Sequence, residues 1–410
     1  MKKRMLAALF GAALLLQIPA GAEERSGCTL FEATFLQGWL CRDWSPERWR
    51  TEFTEMKAAG FRSVILQSAV DLTYQYTDES KPETDPAAYT LAAAYALYPT
   101  ELVSGSEQAH ALRDALDAAA ESGMQVWIGT VSDSRWWAYG WSSPDDGLRT
   151  WAAENAAACS TLIRETAALY GEAYAPQIAG YYYNNEIWNI PDACTQQDQG
   201  AYEQILGENL RRTVEAAAEK PVLVSPFYNP ELGTAQDYAR FLLALAQASG
   251  MRRTDILAPQ DGGGRECSPD VISEWMYAVQ QSVRETVTFW VNNETFNPAY
   301  QPKPPAVLKS DYLAANCAQQ HILFSWNHYY HAAANPEYAA YEQAFRQMCD
   351  EMRGDVNADG SFDIADAAVV CRWFMGDRIY LANWKAADFD GNGILNAADL
   401  SAMKHALLES

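Results

Sequence analysis

The chain has 410 residues, a length that one hydrophobic core seldom supports outside an α/β barrel, so one large and one small domain are expected. Its net charge of -23 argues against nucleic acid and anionic membrane surfaces as partners. The eight cysteines lack the CxxC and Cys/His spacings of a zinc site.

Residues 1–22 have the order of a secretory signal peptide. A basic start at residues 2–4 is followed by an apolar run over 5–18 and by small residues at Ala20 and Ala22. The run is shorter than the roughly 20 residues that a membrane anchor needs, and no later apolar stretch reaches that length. A secreted, extracellular protein with no membrane span is therefore predicted.

Residues 28–350 alternate between short strand-like runs and longer helix-like runs, a pattern typical of parallel strands with crossover helices. The predicted strands are 33–38, 63–67, 125–130, 177–183, 222–226, 254–259, 286–292 and 321–326. Helices are predicted over 46–59, 107–121, 148–169, 202–218, 236–248 and 268–283. Eight strand–helix units predict an α/β fold, a (β/α)8 TIM barrel.

In such barrels the chemistry lies where strands end and loops begin. YNNEIW follows the fourth predicted strand and WVNNETF spans the end of the seventh, which places Glu186 and Glu294 across the barrel mouth from each other. Hydrolysis of a glycosidic bond needs such a pair. One carboxyl protonates the leaving oxygen and the other attacks the anomeric carbon, at a separation of about 5 to 5.5 Å when configuration is retained.

These strand ends resemble the clan A glycoside hydrolases. The resemblance implies Glu186 as acid/base, with Asn185 before it as a substrate contact. It implies Glu294 as nucleophile and Trp326 after the eighth strand as a sugar platform. TFLQGWLCRDWSPERWRTEFTEMKAAGFRSVILQ, PQDGG after the sixth strand and FSWNHYY after the eighth also resemble a family of glycosidase-like barrels of unassigned activity. That resemblance spans most of residues 30–345. Clan A enzymes often place a Tyr near the sixth strand to hold the nucleophile, whereas this chain has Gln260 and Asp261 there. Both of these residues are predicted to bind substrate.

Alternatives remain open for these carboxylates. Glu294 could instead form a structural ion pair with an arginine such as Arg265. Asp261 could bind substrate, cap a turn before three glycines, or act with Glu186 in an inverting hydrolase, which needs a separation of about 6.5 to 9.5 Å. The barrel as a whole could be a non-catalytic module that binds glycan, since fold does not fix function.

The chain is rich in aromatic residues, with 14 Trp and 22 Tyr. Sugar rings pack their C–H faces on aromatic planes, so aromatic loops at the barrel mouth suit a carbohydrate cleft. Trp39, Trp136 and Trp188 are predicted to bind substrate, and Trp137 and Trp141 share the loop of Trp136. The alternative for each is packing inside the barrel.

Residues 354–410 contain an internal repeat, GDVNADGSFDIAD and ADFDGNGILNAAD, with a period of 33 residues (388 minus 355). The spacing is that of an EF-hand calcium loop, with glycine at the sixth position, where the turn needs a positive φ. The predicted ligands are Asp355, Asn357, Asp359, Ser361, Asp363 and Asp366 in the first loop and Asp388, Asp390, Asn392, Ile394, Asn396 and Asp399 in the second. Ser361 and Ile394 would contribute backbone carbonyls.

Each loop runs directly into a helix and has Asp, not Glu, at its twelfth position, and this duplicated unit resembles the type I dockerin family. The resemblance implies a small all-α domain with two calcium ions that binds a cohesin domain of a scaffoldin. It implies cohesin contacts at Ile364, Ala365, Arg372, Ala397, Ala398 and Lys404. The link over 348–353 has no Pro/Thr/Ser tract, which predicts limited freedom between the domains. The sequence thus predicts a secreted cellulosomal glycoside hydrolase, of the retaining type, acting on a polysaccharide.

Overall fold

The computed structural model describes residues 30–139, 144–189, 196–390 and 394–409. The described residues do not include the predicted signal peptide over 1–22, Trp141 or the predicted calcium ligand Asn392. Among the helices that are described, none combines the length and apolar character needed to cross a membrane.

Eight parallel strands close into a barrel within the described part of the chain. They are β1 Ala33–Leu36, β2 Ser63–Leu66, β3 Gln125–Gly129, β4 Ile178–Tyr183, β5 Val222–Val224, β6 Ile256–Leu257, β7 Thr288–Glu294 and β8 Gln320–Phe324. Each strand pairs with its neighbours in chain order, and β8 pairs with β1 to close the ring. The predicted (β/α)8 barrel is confirmed.

A helix follows each strand on the outside of the barrel. These helices are α1 Pro46–Ala58, α2 Ala111–Ser122, α3 Asp146–Tyr170, α4 Gln196–Ala217, α5 Ala235–Ala248, α6 Pro269–Val283, α7 Pro305–Ala314 and α8 Ala339–Met352. Local sequence sets several of their starts. Ser45 accepts a hydrogen bond from the backbone N–H of Arg48 at the start of α1, and Ser268 caps α6 in the same way. Short helices over Gly38–Cys41, Trp136–Tyr139 and Trp326–Tyr329 lie in loops at the C-terminal end of the barrel.

A second sheet, which the sequence did not predict, stands at the C-terminal end of the barrel. Its strands are Val70–Tyr76, Tyr89–Ala96 and Val131–Asp133, with Val70–Tyr76 in the middle. The sequence TLAAAYA in the second of them lacks the run of β-branched residues that indicates a strand. Val131–Asp133 pairs with a segment about sixty residues earlier, and such long-range pairing leaves no local signal.

The C-terminal domain is built on the two predicted loops. Helices α9 Ile364–Phe374 and α10 Ala397–Glu409 follow them, and α9 opens with a capping box between Asp363 and Asp366. Val356, Val370 and Met403 are the centre of a separate small hydrophobic core. The predicted all-α domain with loop-then-helix repeats is confirmed.

This domain contacts the end of the barrel opposite to the second sheet. Lys385 donates a hydrogen bond to the carbonyl of Ala318 (2.7 Å), and Asn316 donates one to the carbonyl of Leu381 (2.9 Å). Residues 315–319 connect α7 to β8 and therefore lie at the N-terminal ends of the strands. The C-terminal ends of the strands, where barrel enzymes carry their chemistry, are left free by these contacts.

Candidate functional site

Glu186 and Glu294 both lie at the C-terminal end of the barrel. Glu186 follows β4 by three residues, and Glu294 is the last residue of β7. Repulsion from the charge of Glu186 is among the causes that raise the pKa of Glu294, so the two carboxyls are close enough to interact electrostatically. The structure therefore places both predicted catalytic residues at the same end of the barrel.

Glu294 is held by the glycine-rich turn after β6. The backbone N–H of Gly264 donates a hydrogen bond to Glu294 Oε2 at 2.9 Å. A Cβ at Gly264 would lie 2.6 Å from the ring of Phe296 and 3.1 Å from Glu294 Oε1, so only glycine permits this approach. Burial raises the pKa of Glu294 to about 7, the negative charge of Asp261 adds to the rise, and the Gly264 N–H and the Lys303 ammonium lower it.

The alternative in which Glu294 pairs with Arg265 is wrong. Arg265 is exposed, and no ion pair of Glu294 occurs among the described residues. Glu294 is 7% exposed, with its carboxylate held by backbone and not by a cation.

Glu186 has a simpler environment. It is partly buried, and burial alone raises the pKa of its carboxyl to about 7. Burial is the cause of the raised pKa of Glu186, whereas at Glu294 the Gly264 N–H and the Lys303 ammonium oppose the effect of burial. Burial raises the pKa of both carboxyls to about 7, so the two differ in the groups that act on them and not in the direction of the shift.

The prediction that Asp261 binds substrate is wrong. Its side chain is fully buried and accepts hydrogen bonds from the backbone of Gly263 (2.8 Å) and Glu294 (3.3 Å) and from the Asn293 amide (2.8 Å). With no access to solvent, Asp261 cannot activate a water molecule, which removes the basis of the inverting alternative. Gln260, beside it, lies three residues beyond β6, is partly buried and forms an isolated parallel bridge with Asn292. Its contact with substrate stays a prediction.

Most of the predicted aromatic platforms lie in the core. Trp326 is 0% exposed and stacks on His331 at 4.1 Å, so the prediction that it presents a face to a sugar is wrong. Trp136 is buried against Trp151, and Trp188 is buried against Phe227 in a parallel stack at 5.6 Å, which corrects their predicted contacts with substrate. Burial of a large apolar area inside the protein explains all three positions.

Asn185 is also nearly fully buried, which corrects its predicted contact with substrate. Its amide donates a hydrogen bond to Asn155 Oδ1 (2.9 Å) on α3, and Asn209 on α4 donates to the same oxygen (3.2 Å). The side chain therefore ties the end of β4 to the outer helices. This network fixes the loop that carries Glu186.

Trp39 remains exposed, and it ends a ladder of aromatic rings beside Glu294. Trp39 contacts His328 edge to face at 5.2 Å, His328 stacks on Tyr329 at 4.2 Å, Tyr329 on Phe296 at 5.4 Å and Phe296 on Tyr300 at 5.7 Å. The two ends are open to solvent, with Trp39 56% and Tyr300 72% exposed. Sequence reasoning missed Tyr300 and Phe296, although both follow Glu294 in the motif NETFNPAY. Trp137 is exposed as well.

The second predicted calcium loop brings three carboxylates together. Asp388, Asp390 and Asp399 each offer one oxygen, and these oxygens lie within 4.8 Å of one another. Ca²⁺ takes oxygen ligands at about 2.3 to 2.6 Å, so oxygens at this spacing fit one such ion. Ile394 and Asn396 belong to the same loop, and the amide of Asn396 donates to the carbonyl of Ile394 (3.2 Å).

In the first predicted calcium loop, the carboxylates at the first and twelfth positions accept hydrogen bonds from the loop backbone. Asp355 accepts hydrogen bonds from the backbone N–H groups of Asp359 (3.1 Å) and Gly360 (3.0 Å), and Asp366 accepts one from Asn357 (3.1 Å). Gly360 has a φ of 93°, the positive value expected at the sixth loop position. Asp363 is the N-cap of α9. The oxygen-rich donor set fits a hard cation such as Ca²⁺.

The residues predicted to contact cohesin lie on the surface of the C-terminal domain. Ile364, Ala365, Arg372, Ala397, Ala398 and Lys404 are all exposed. Ile364 is an exposed large apolar side chain, as a protein interface needs. The contact itself stays a prediction.

Comparison with known proteins identifies both parts of the chain. Residues 31–340 match the family described as domain of unknown function (DUF4434), and residues 353–408 match the dockerin type I domain. No curated protein matches the chain. Type I dockerins generally bind calcium, and such a domain indicates a cohesin partner, association with a cellulosome and an extracellular location.

Several solved structures with a similar fold are described as glycoside hydrolases or as candidates for that class. A candidate α-L-fucosidase from Bacteroides thetaiotaomicron has a TM-score of 0.58 at 17% identity, covering 85% of this chain and 99% of that one. A β-galactosidase from Marinomonas has a TM-score of 0.48 at 10% identity, with coverages of 84% and 60%. An endo-1,4-β-mannanase from Eisenia fetida has a TM-score of 0.43 at 13% identity, with coverages of 80% and 92%. The likeness to the first of these structures, at 17% identity, shows the fold alone.

Proposed function

We propose that this chain, which belongs to the DUF4434 family and ends in a type I dockerin domain, is a secreted retaining glycoside hydrolase that acts on a polysaccharide. Its dockerin attaches it to a scaffoldin cohesin, with one calcium ion in each loop. The observation that carries the proposal is the pair of interacting carboxyls, Glu186 and Glu294, at the ends of β4 and β7.

The environments of the two carboxyls support distinct roles. Glu186, with burial as the cause of its raised pKa, is suited to hold a proton and act as acid/base. Glu294, which accepts the Gly264 N–H and feels the positive charge of Lys303, is suited to be ionised and act as nucleophile. Retention of configuration follows because Glu294 attacks the anomeric carbon itself and does not activate a water molecule.

In the first step, Glu294 attacks the anomeric carbon while Glu186 gives its proton to the glycosidic oxygen. The bond to the leaving sugar breaks, and a glycosyl ester of Glu294 forms. In the second step, a water molecule attacks the anomeric carbon while Glu186 takes a proton from that water, and the ester bond to Glu294 breaks. The products are two shorter sugars, and both carboxyls return to their starting states.

The proposal is tested by incubating the full chain with a panel of plant and bacterial polysaccharides. Release of reducing ends, with the anomer of the first product identified by proton NMR, is the expected result, and that anomer should match the substrate. An inverted product would contradict the retaining mechanism. Binding of a polysaccharide without cleavage would instead identify the barrel as a glycan-binding module.

The pH dependence of kcat/KM is expected to be bell-shaped with its maximum near neutrality. Activity should fall at low pH as Glu294 gains a proton and at high pH as Glu186 loses one, because burial raises the pKa of each to about 7. Ionisation of either carboxyl disfavours ionisation of the other, so the apparent pKa values of the acid and alkaline limbs of the profile describe the pair and not a single residue. Initial rates between about pH 4 and 9 measure this, and a flat profile over that range would contradict it.

Loss of the exposed ends of the aromatic ladder is expected to weaken substrate binding. Trp39→Ala and Tyr300→Ala should each raise KM roughly 2- to 12-fold with kcat little changed, because a ring contact is worth about 0.5 to 1.5 kcal/mol. Trp373→Ala, at an exposed tryptophan of the dockerin, is the control and should leave KM unchanged. Equal KM values for all variants would show that the substrate does not bind at the exposed ends of the ladder.

A further inference from the structure

A buried lysine lies behind the candidate nucleophile. Lys303 is 3% exposed, and its ammonium donates a hydrogen bond to Asp311 Oδ2 at 2.8 Å. Its backbone is fixed on both sides. The Lys303 N–H donates to the carbonyl of Thr295 (2.7 Å), the residue after Glu294, and the Tyr330 hydroxyl donates to the Lys303 carbonyl (2.7 Å).

Three charged side chains converge at Gly263. A Cβ on Gly263 would meet the ammonium of Lys303 first, then Asp261 Oδ1 at 2.9 Å and Asp311 Oδ2 at 3.0 Å. No side chain fits there, so the glycine leaves room for the cation between the two carboxylates. Asp261 in turn accepts the backbone N–H of Glu294.

The buried carboxyls around Lys303 outnumber the buried cations, and Glu294 is one of these carboxyls. Three buried carboxyls, those of Asp261, Asp311 and Glu294, face one buried ammonium, and uncompensated buried charge is costly. Burial would lower the pKa of Lys303, but the charges of Asp261 and Asp311 raise it above its ordinary value, so Lys303 stays protonated.

We propose that Lys303, held by Asp311 and Asp261, is a positioning residue that keeps the Glu294 carboxylate ionised and oriented towards the anomeric carbon. This inference rests on the proposed function of Glu294 as nucleophile. Lys303 has no contact with substrate in this role. It acts through the electrostatic field at Glu294 and through the loop that both residues share.

Other ionisable groups also face Glu294 and must be kept intact in any test. They are Asp261 after β6, Glu186 after β4, Tyr228 after β5, Cys267 before α6 and Tyr329 after β8. None of these changes in the variants below. A shift in the pKa of Glu294 can therefore be assigned to Lys303 and Asp311.

The test uses two substitutions with opposite expected signs. Lys303→Met removes the cation and should raise the pKa of Glu294 by about one unit or more, whereas Asp311→Asn frees the cation and should lower it. The control is Lys57→Met, at an exposed lysine that bonds to the carbonyl of Ser122 at the other end of the barrel. It should cause no shift.

The readout is carbon NMR titration of the full chain labelled at the glutamate carboxyl, with the Glu294 signal identified by its loss in Glu294→Gln. The acid limb of kcat/KM should move in the same directions. The titration needs no turnover. If the protein is inactive but the pKa of Glu294 shifts in opposite directions in the two variants, the proposed hydrolase activity is rejected and the role of Lys303 in the charge cluster stands. Shifts of the same sign, or none in either variant, would overturn the role of Lys303. If Lys303→Met does not fold, Lys303→Gln, which also removes the cation, is titrated in its place, because loss of the Asp311 charge would by itself lower the pKa of Glu294.

Discussion

Glu294→Gln is expected to abolish hydrolysis, with a loss in kcat on the order of 10³-fold or more, because an amide cannot form the glycosyl ester. The amide keeps the size of the carboxyl and can still accept the Gly264 N–H, so the fold should survive. Initial rates on the polysaccharide identified by the panel measure the loss. Glu285→Gln, at a highly exposed glutamate, is the matched control and should be fully active.

The companion variant Glu186→Gln separates the two roles by its dependence on the leaving group. Without the acid, kcat on the polysaccharide should fall about 10²- to 10⁴-fold. Aryl glycosides whose leaving group needs no proton should retain much of their rate in forming the ester, which Glu294→Gln should not allow. Equal losses on both substrate types in Glu186→Gln would contradict the assignment of Glu186 as the acid.

Removal of calcium is expected to unfold the dockerin while the barrel stays folded. The hydrophobic core of this domain is too small to hold without its ions, and the loop carboxylates repel one another when no cation lies between them. Chelation should therefore remove one thermal transition in calorimetry and leave the other. A chelated chain that keeps both transitions would contradict calcium-dependent folding.

Titration calorimetry of the full chain locates the ions in the two loops. The native chain should bind two, whereas Asp388→Ala removes a ligand of the second loop and should bind one, and Asp355→Ala should do the same for the first. Asp350→Asn, an exposed aspartate outside both loops, is the control and should still bind two. Two ions in Asp388→Ala would contradict the ligand assignment of that loop.

The sequence alone determined the parts of this protein whose signals are local. The calcium loops have every ligand within twelve residues, and the alternation of strand and helix predicts the barrel and puts Glu186 and Glu294 at its mouth. The tertiary structure decided which side chains are exposed. Trp326 and Asp261 looked functional by position but are fully buried, since packing against His331 and Asn293 depends on contacts that only the fold creates.

The same reason explains what the sequence did not reveal beside Glu294. Lys303 meets Asp261 across two different strand–helix connections, and Tyr300 joins Trp39 through rings from the loops after β7, β8 and β1. Charge pairing and ring stacking of this kind depend on distance in space and leave no periodic trace along the chain. Spacing within the chain therefore determined where the chemistry lies, and long-range packing decided which groups surround it.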